Sequence, residues 1–143
     1  MRVYFIFQMK EEYKNLYKGK ESSLYQILMS IYKLDNEEVE YGYNLLKQMT
    51  IPINKEEIDR DLFVKLHREY PYSKREGIHY YNQLYKDEVS RLIVKNCYIK
   101  LEADNDTSSF FYYLKDFSDN FFVCDFNNRF HCFFLDEKSC KCK

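Results

Sequence analysis

The side chains best suited to catalysis or to metal binding lie near the end of the chain. Thiolate and imidazole groups are the ligands that Zn²⁺ prefers in proteins. The residues that carry such groups there are Cys124, His131, Cys132, Cys140 and Cys142. Whether they can act together depends on the backbone that holds them.

Two apolar runs surround an asparagine pair in this region, in the order NFFVCDF-NN-RFHCFFL. Asparagine tolerates the left-handed backbone that a two-residue hairpin turn requires. We therefore predict an antiparallel hairpin that turns at residues 127–128. This is the strongest strand signal in the chain.

The predicted register places Cys124 opposite His131, and Val123 opposite Cys132. Adjacent residues of a strand point to opposite faces of the sheet, so Cys124 and Cys132 diverge. One tetrahedral ion cannot collect both thiolates, and no CxxC spacing occurs in the chain. We expect no bound metal, and Cys140 and Cys142 are interpreted as incidental thiols on a polar tail.

A nucleophile and its base could also be formed by Cys124 and His131, which face each other across the predicted hairpin. Asp125 points to the opposite face, so no carboxylate orients the imidazole there. His67 and His79 stand without a companion motif. The carboxylate pairs fit helix starts, where they complement the helix dipole: Glu11 and Glu12, Glu37 and Glu38, Glu56 and Glu57. With no glycine-rich phosphate loop, GxSxG or HExxH motif, we predict a protein that is not an enzyme and uses no cofactor.

The amino-acid composition narrows the classes of protein to which the chain can belong. The chain has 143 residues, which suits one domain over 1–143, and 45% of them are hydrophobic. Its 22 basic and 23 acidic residues are well mixed, so no phosphate-seeking field is expected and direct nucleic-acid binding is disfavoured. No apolar run is long enough to span a membrane, and no signal peptide is recognisable. We expect a cytoplasmic protein whose five cysteines are reduced.

Hydrophobic periodicity predicts the first half of the fold. A strand over residues 3–7 precedes a short helix, and a second helix covers about residues 22–33. Asp35 and Glu38 have capping-box spacing and open a third helix, in which Val39 is expected to be buried. Asn54 and Glu57 repeat the spacing and open a fourth helix, whose inward residues are Ile58, Leu62 and Leu66.

The second half of the chain is predicted to consist mainly of strands. Residues 69–77 are predicted to be a loop, and residues 78–85 are either strand or helix, with strand favoured. Residues 91–95 and 98–103 form an antiparallel pair, and residues 104–107 cap a helix that extends to Phe117. Together with the C-terminal hairpin, these elements predict an α+β fold: a mainly antiparallel β-sheet with helices packed against it, joined by the N-terminal strand.

A short charged helix after the first strand carries aromatic residues at helical spacing. Tyr13, Leu16 and Tyr17 lie three and four residues apart, and Gly19 follows where a left-handed C-cap is expected. One interpretation is that the tyrosines pack in the core. The other is that they form a protein-binding knob, because tyrosine is enriched at binding hot spots. We expect Leu16 to hold the helix against the sheet and at least one tyrosine ring to stand largely in solvent.

Two stretches resemble a known family. The segment KEEY followed by NLYKGKES, after an aromatic strand, is similar to the opening of the sporulation inhibitor of replication (SirA) proteins of endospore-forming bacteria. The segment FFYYLKDFSDNFFVCDFNNRF resembles the helix and hairpin of that family. The order of the elements corresponds as well, so the resemblance covers nearly the whole chain.

The resemblance implies a protein-binding inhibitor of chromosomal replication initiation. Such a protein binds the N-terminal domain (domain I) of the initiator DnaA and blocks its productive assembly at the origin during sporulation. By the same resemblance, the residues that contact the partner are Tyr13 and Tyr17 on the first helix and Tyr43 on the third. We predict that Leu16 and Lys18, which neighbour Tyr17, also belong to the contact surface. No membrane, direct nucleic-acid or small-molecule partner is implied.

Two other classes remain open from the residues. A single-stranded nucleic-acid binder would use lysines interleaved with stacking tyrosines, and its binding would collapse at modest salt. A small enzyme with an unrecognised site would need a deep pocket that gathers perturbed titratable groups.

Overall fold

The computed structural model describes residues 1–83, 85, 88–104 and 108–133. Seven strands are present in this part of the chain: β1 Arg2–Gln8, β2 Tyr72–Arg75, β3 Ile78–Gln83, β4 Glu88–Val94, β5 Ile99–Ala103, β6 Phe121–Asp125 and β7 Phe130–Phe133. The α-helices are α1 Glu11–Leu16, α2 Glu21–Tyr32, α3 Val39–Met49, α4 Lys55–Leu66 and α5 Ser109–Leu114. A 3₁₀ turn, Asn36–Glu38, leads into α3.

The strands form one antiparallel sheet in the order β2-β3-β4-β5-β1-β6-β7. Strand β1 lies between β5 and β6, with Phe5 opposite Lys100 on one side and opposite Cys124 on the other. The predicted α+β class and the union of the N-terminal strand with the C-terminal hairpin are confirmed.

Alternation along β1 divides the interior into two layers. Tyr4 and Ile6 point to the side covered by α4 and α5, which we call side A. Phe7 and Met9 point to the opposite side, where α1, α2 and α3 pack, and which we call side B. The sheet is therefore enclosed between two helical layers, and each layer has its own apolar cluster.

Two of the predicted helices behave as expected, and a third is shorter than predicted. Helix α2 buries Leu24 and Leu28, and α4 buries Ile58, Leu62 and Leu66. The side chain of Asn54 accepts a hydrogen bond from the backbone N–H of Glu57, which is the predicted N-cap. Helix α5 begins after the cap Ser108 and ends at Leu114, so its predicted extension to Phe117 is wrong. Residues 105–107 of the predicted cap region lie outside the described residues.

The start of α3 differs from the prediction. Asp35 makes no side-chain capping hydrogen bond, because a 3₁₀ turn separates it from the helix. Val39 is 53% exposed, so its predicted burial is wrong. It sits in the first turn of α3, ahead of the inward positions Gly42, Leu46 and Met49.

Residues 69–77 are not a loop, because they contain strand β2. Arg75 pairs with Ile78 across a two-residue turn in which Glu76 and Gly77 have φ of 52° and 79°. Positive φ at both central residues is the type I′ hairpin geometry. The pattern was missed because Glu replaces the usual Asn or Asp in front of the glycine.

The C-terminal hairpin keeps the predicted register but turns differently. Cys124 pairs with His131, and Val123 with Cys132, as expected. The turn spans residues 126–129, and its left-handed residue is Arg129 (φ 53°), so the predicted two-residue asparagine turn is wrong. The buried carboxylate of Asp125 accepts the N–H groups of Asn127 and Asn128 and thereby stabilises the longer loop.

Candidate functional site

Helix α1 is fixed to the sheet by polar contacts at its base. The ammonium of Lys14 donates to the carbonyl of Asp119 at 2.9 Å and to Oδ1 of Asn120 at 3.0 Å. The side-chain amide of Asn120 in turn donates to Glu11 at 3.1 Å. These residues flank the start of β6, so a six-residue helix that would be unstable alone has a defined position.

The same helix is also joined to the end of α3. The N–H of Lys10 donates to the carbonyl of Met49 at 3.0 Å, and Met9 forms a β-bridge with Thr50. The first and third helices are therefore held on the same side of the sheet by backbone contacts. The start of α1 therefore lies beside the end of α3.

Gly19 ends this segment in the predicted way. Its φ is +81°, and the N–H of Lys20 donates to the carbonyl of Tyr17 at 2.7 Å. A left-handed backbone without strain is what glycine provides there. The chain can then turn at once into α2.

The two tyrosines of α1 are not exposed knobs. Tyr13 and Tyr17 are half-buried and pack against the side B cluster, while Leu16 is 64% exposed. The expectations that Leu16 holds the helix against the sheet and that a tyrosine ring stands largely in solvent are both wrong. Leu16 lies about 100° around the helix from Tyr17, and the two large rings gain more from burial than one leucine does.

The remaining predicted contact residues are accessible. Lys18 is exposed, and so is Tyr43 on α3. The ammonium of Lys47 lies 4.4 Å from the centre of the Tyr43 ring, one turn along the same helix. The exposed side chains here are Leu16, Lys18 and Tyr43, and of these tyrosine is the type that is enriched at protein interfaces.

Comparison with known protein families gives one match, which covers residues 2–134 and is to the family described as sporulation inhibitor of replication protein SirA. The chain belongs to the SirA family. Its description is that of a regulatory inhibitor of replication that acts in sporulation. A search of curated proteins found no match.

The cysteine cluster of this SirA-family chain is divided by the sheet, as predicted. Cys124 lies in the side B cluster and Cys132 in the side A cluster. In the described ranges, His, Cys, Asp and Glu form no group of three or more that could hold a metal ion. Cys140 and Cys142 lie outside the described residues.

The thiols are not all reduced. Cys97 and Cys124 are free, but Cys132 is disulfide-bonded, so the expectation of five reduced cysteines is wrong at that position. The prediction considered the redox compartment and not which sulfur atoms the fold brings together. Burial raises the pKa of the Cys124 thiol well above its usual range, so the residue opposite His131 is an inert thiol and not an activated nucleophile.

A buried polar cluster in the SirA-family fold was missed from the sequence. His79 donates from Nε2 to Oδ1 of Asp59 at 2.7 Å, and its Nδ1 accepts the hydroxyl of Tyr72 at 2.8 Å. Lys55 binds the other oxygen of Asp59 at 2.7 Å. If β2 had been predicted as a strand paired with β3, Tyr72 and His79 would have been placed on the same face of the sheet. No pattern in the neighbouring sequence connects either residue to Asp59 on α4.

Electrostatics show that this cluster is structural. Burial lowers the pKa of His79 despite its hydrogen bond to Asp59, so the imidazole is neutral, and burial raises the pKa of Tyr72 to about 12. His79 is fully buried and therefore has no access to a substrate. The described part of the SirA-family chain contains no helix long and apolar enough to cross a membrane.

Proposed function

We propose that this chain binds the N-terminal domain (domain I) of the replication initiator DnaA and thereby prevents productive assembly of the initiator at the origin during sporulation. The mechanism is occupancy of a surface, with no covalent step and no cofactor. The complex forms in the cytoplasm, where the initiator works.

The match to the SirA family over residues 2–134 carries this proposal. We assign the contact to the outer surface of α1 with Lys18 and to the exposed ring of Tyr43 on α3, and the exposure of Leu16, Lys18 and Tyr43 supports this assignment. Both helices lie on side B and are joined through Lys10 and Met49. A rigid base of this kind lowers the entropic cost of association.

The structure changes which residue should be tested first. Leu16 is the most exposed of the apolar contact residues, so its replacement perturbs the surface with little effect on folding. We expect Leu16→Glu to weaken binding to the isolated initiator domain by about 2 kcal/mol, or roughly thirtyfold, because a charge is then buried at the interface. Titration calorimetry measures this change.

A matched control is present on the opposite helical layer. Val64 is an aliphatic residue of α4 that is 62% exposed on side A. Val64→Glu introduces the same charge at the same exposure, and the affinity should stay at the wild-type value. Equal affinities for wild type, Leu16→Glu and Val64→Glu would remove α1 from the interface.

For variants of the half-buried tyrosines, stability must be measured as well as affinity. Tyr13→Ala and Tyr17→Ala remove rings that pack on the side B cluster, so each should reduce stability by about 1–2 kcal/mol as well as affinity. Thermal melts of the variants separate the two losses. Binding to single-stranded DNA that disappears at modest salt, with none to the initiator domain, would instead support the nucleic-acid alternative.

A further inference from the structure

Side B contains an open cleft of about 370 Å³ between the helices and the sheet. Its floor consists of buried residues of α2, α3 and β1, among them Leu28, Leu46 and Phe7. Tyr32, which is 51% exposed, stands at its mouth. A volume in this range, with apolar walls and few polar groups, is typical of a small-molecule pocket.

The cleft is lined by aromatic rings that are already arranged around it. Phe5 lies 5.2 Å from Tyr32, 5.5 Å from Tyr98 and 5.6 Å from Phe126, measured between ring centres. Tyr32 and Phe126 are stacked at 4.7 Å. Phe126 also stacks on Tyr25 and is buried, so it holds the wall in place and offers no free face of its own. The accessible ring is that of Tyr32, whose position is fixed by these contacts.

One cation lines the cleft. Lys100 stands directly opposite Phe5 in the β1–β5 pairing, and its side chain is one-third exposed. Its ammonium lies 3.5 Å from Glu102, but Glu102 also binds the guanidinium of Arg91. One carboxylate is thus shared by two cations, so this cluster has an excess positive charge beside an aromatic wall.

We propose that the cleft binds a small planar aromatic carboxylate, with its rings against Phe5, Tyr32 and Tyr98 and its carboxylate at Lys100. The aromatic walls select the flat apolar body, and the excess charge selects the anion. This ligand site is separate from the contact surface of α1, and its occupancy does not require the initiator.

The test uses the full chain and two probes of the same shape. 2-Naphthoate carries the carboxylate, and 2-naphthalenemethanol replaces it with a neutral group. The chain has no tryptophan, so naphthyl emission can be excited without interference from an indole. We expect saturable 1:1 binding of naphthoate and about tenfold weaker binding of the alcohol.

Variants then locate the site. Lys100→Gln should weaken naphthoate about tenfold and leave the alcohol unchanged, while Arg91 still holds Glu102. Lys95→Gln, at an exposed lysine between β4 and β5, is the matched control and should bind both probes as wild type does. Leu46→Phe should fill the cleft and weaken both probes.

If Leu46→Phe fails to fold, nuclear Overhauser contacts between the naphthyl protons and the rings of Phe5 and Tyr98 in the wild-type protein serve the same purpose. Absence of saturable naphthoate binding would overturn the proposal. So would binding that responds equally to Lys100→Gln and Lys95→Gln.

Discussion

The two sides of the sheet are built by different means. On side A, polar side chains are buried within the apolar cluster and are hydrogen-bonded to one another, as in the chain Asp59–His79–Tyr72. Glu69 likewise accepts the hydroxyls of Tyr81 and Tyr113. On side B, aromatic rings stack on one another, as in Tyr25–Phe126–Tyr32, beside aliphatic residues and methionines, and a cleft is open to solvent.

The N-terminal ends of the helices also differ between side A and side B. Both helices of side A begin with a side-chain cap, from Asn54 on α4 and from Ser108 on α5, and Glu88 also binds the first N–H of α5 at 2.6 Å. None of the three helices of side B has a side-chain N-cap hydrogen bond. Side A thus combines ring contacts with hydrogen bonds between buried side chains, whereas the helices of side B are held without side-chain caps.

This difference explains where binding functions can reside. Hydrogen-bonded interiors tolerate little change, because a lost partner leaves a buried polar group unsatisfied. Surfaces packed from aromatic rings lose less stabilising free energy when they are partly exposed. Exposed aromatic residues are also enriched at the interfaces between proteins. The proposed contact surface and the proposed ligand cleft both lie on side B.

The largest expected effect compares one leucine from each side. Leu62→Ala on α4 empties a fully buried position, so it should lower the free energy of unfolding by about 3–5 kcal/mol. Leu46→Ala on α3 enlarges a cleft that water already enters, and we expect about 2 kcal/mol. Urea denaturation measures both, and equal losses would break the distinction between the two interiors.

The helix caps give a smaller effect. Asn54→Ala removes the acceptor for the N–H of Glu57 and should cost about 1 kcal/mol in the free energy of unfolding. Lys20→Ala is the matched change on side B, where the residue in front of α2 makes no capping bond, and its effect should be close to zero. A cost of 1 kcal/mol for Lys20→Ala would contradict this contrast.

The smallest expected effect is the dependence of stability on pH. Burial lowers the pKa of His79, so in acid the unfolded chain, with a histidine pKa of about 6.5, takes up a proton before the native state does. Stability is therefore full above pH 6.5 and is lost as the pH falls below it. Between pH 7 and pH 6 the loss from His79 is at most about 0.7 kcal/mol.

Two variants test whether the loss of stability in acid arises from the histidine on side A or from the one on side B. His79→Gln should flatten the fall of melting temperature in acid. Burial also lowers the pKa of His131 on side B, but that ring is only half-buried and stacks on Tyr25 at 4.9 Å. His131→Gln should therefore flatten the slope less, and the reverse order would show that side B carries the more strongly desolvated histidine.

Much of this protein was determined by local sequence. Periodicity located four of the helices and most strands, Gly19 marked a left-handed residue, and alternation placed Cys124 and Cys132 on opposite faces. These features depend on neighbours within a few residues or on the two-residue period of a strand, so they can be read without knowledge of the fold.

Only the tertiary structure decided which polar and aromatic groups meet. Asp59 and His79 are 20 residues apart, and Lys14 reaches Asn120 across 106 positions, so no spacing pattern predicts either contact. It also decided that Tyr13 and Tyr17 turn inward while Leu16 faces solvent. The periodicity of α1 defines a stripe but not the surface that the stripe packs against, and that surface is assembled from β1, α2 and the C-terminal hairpin.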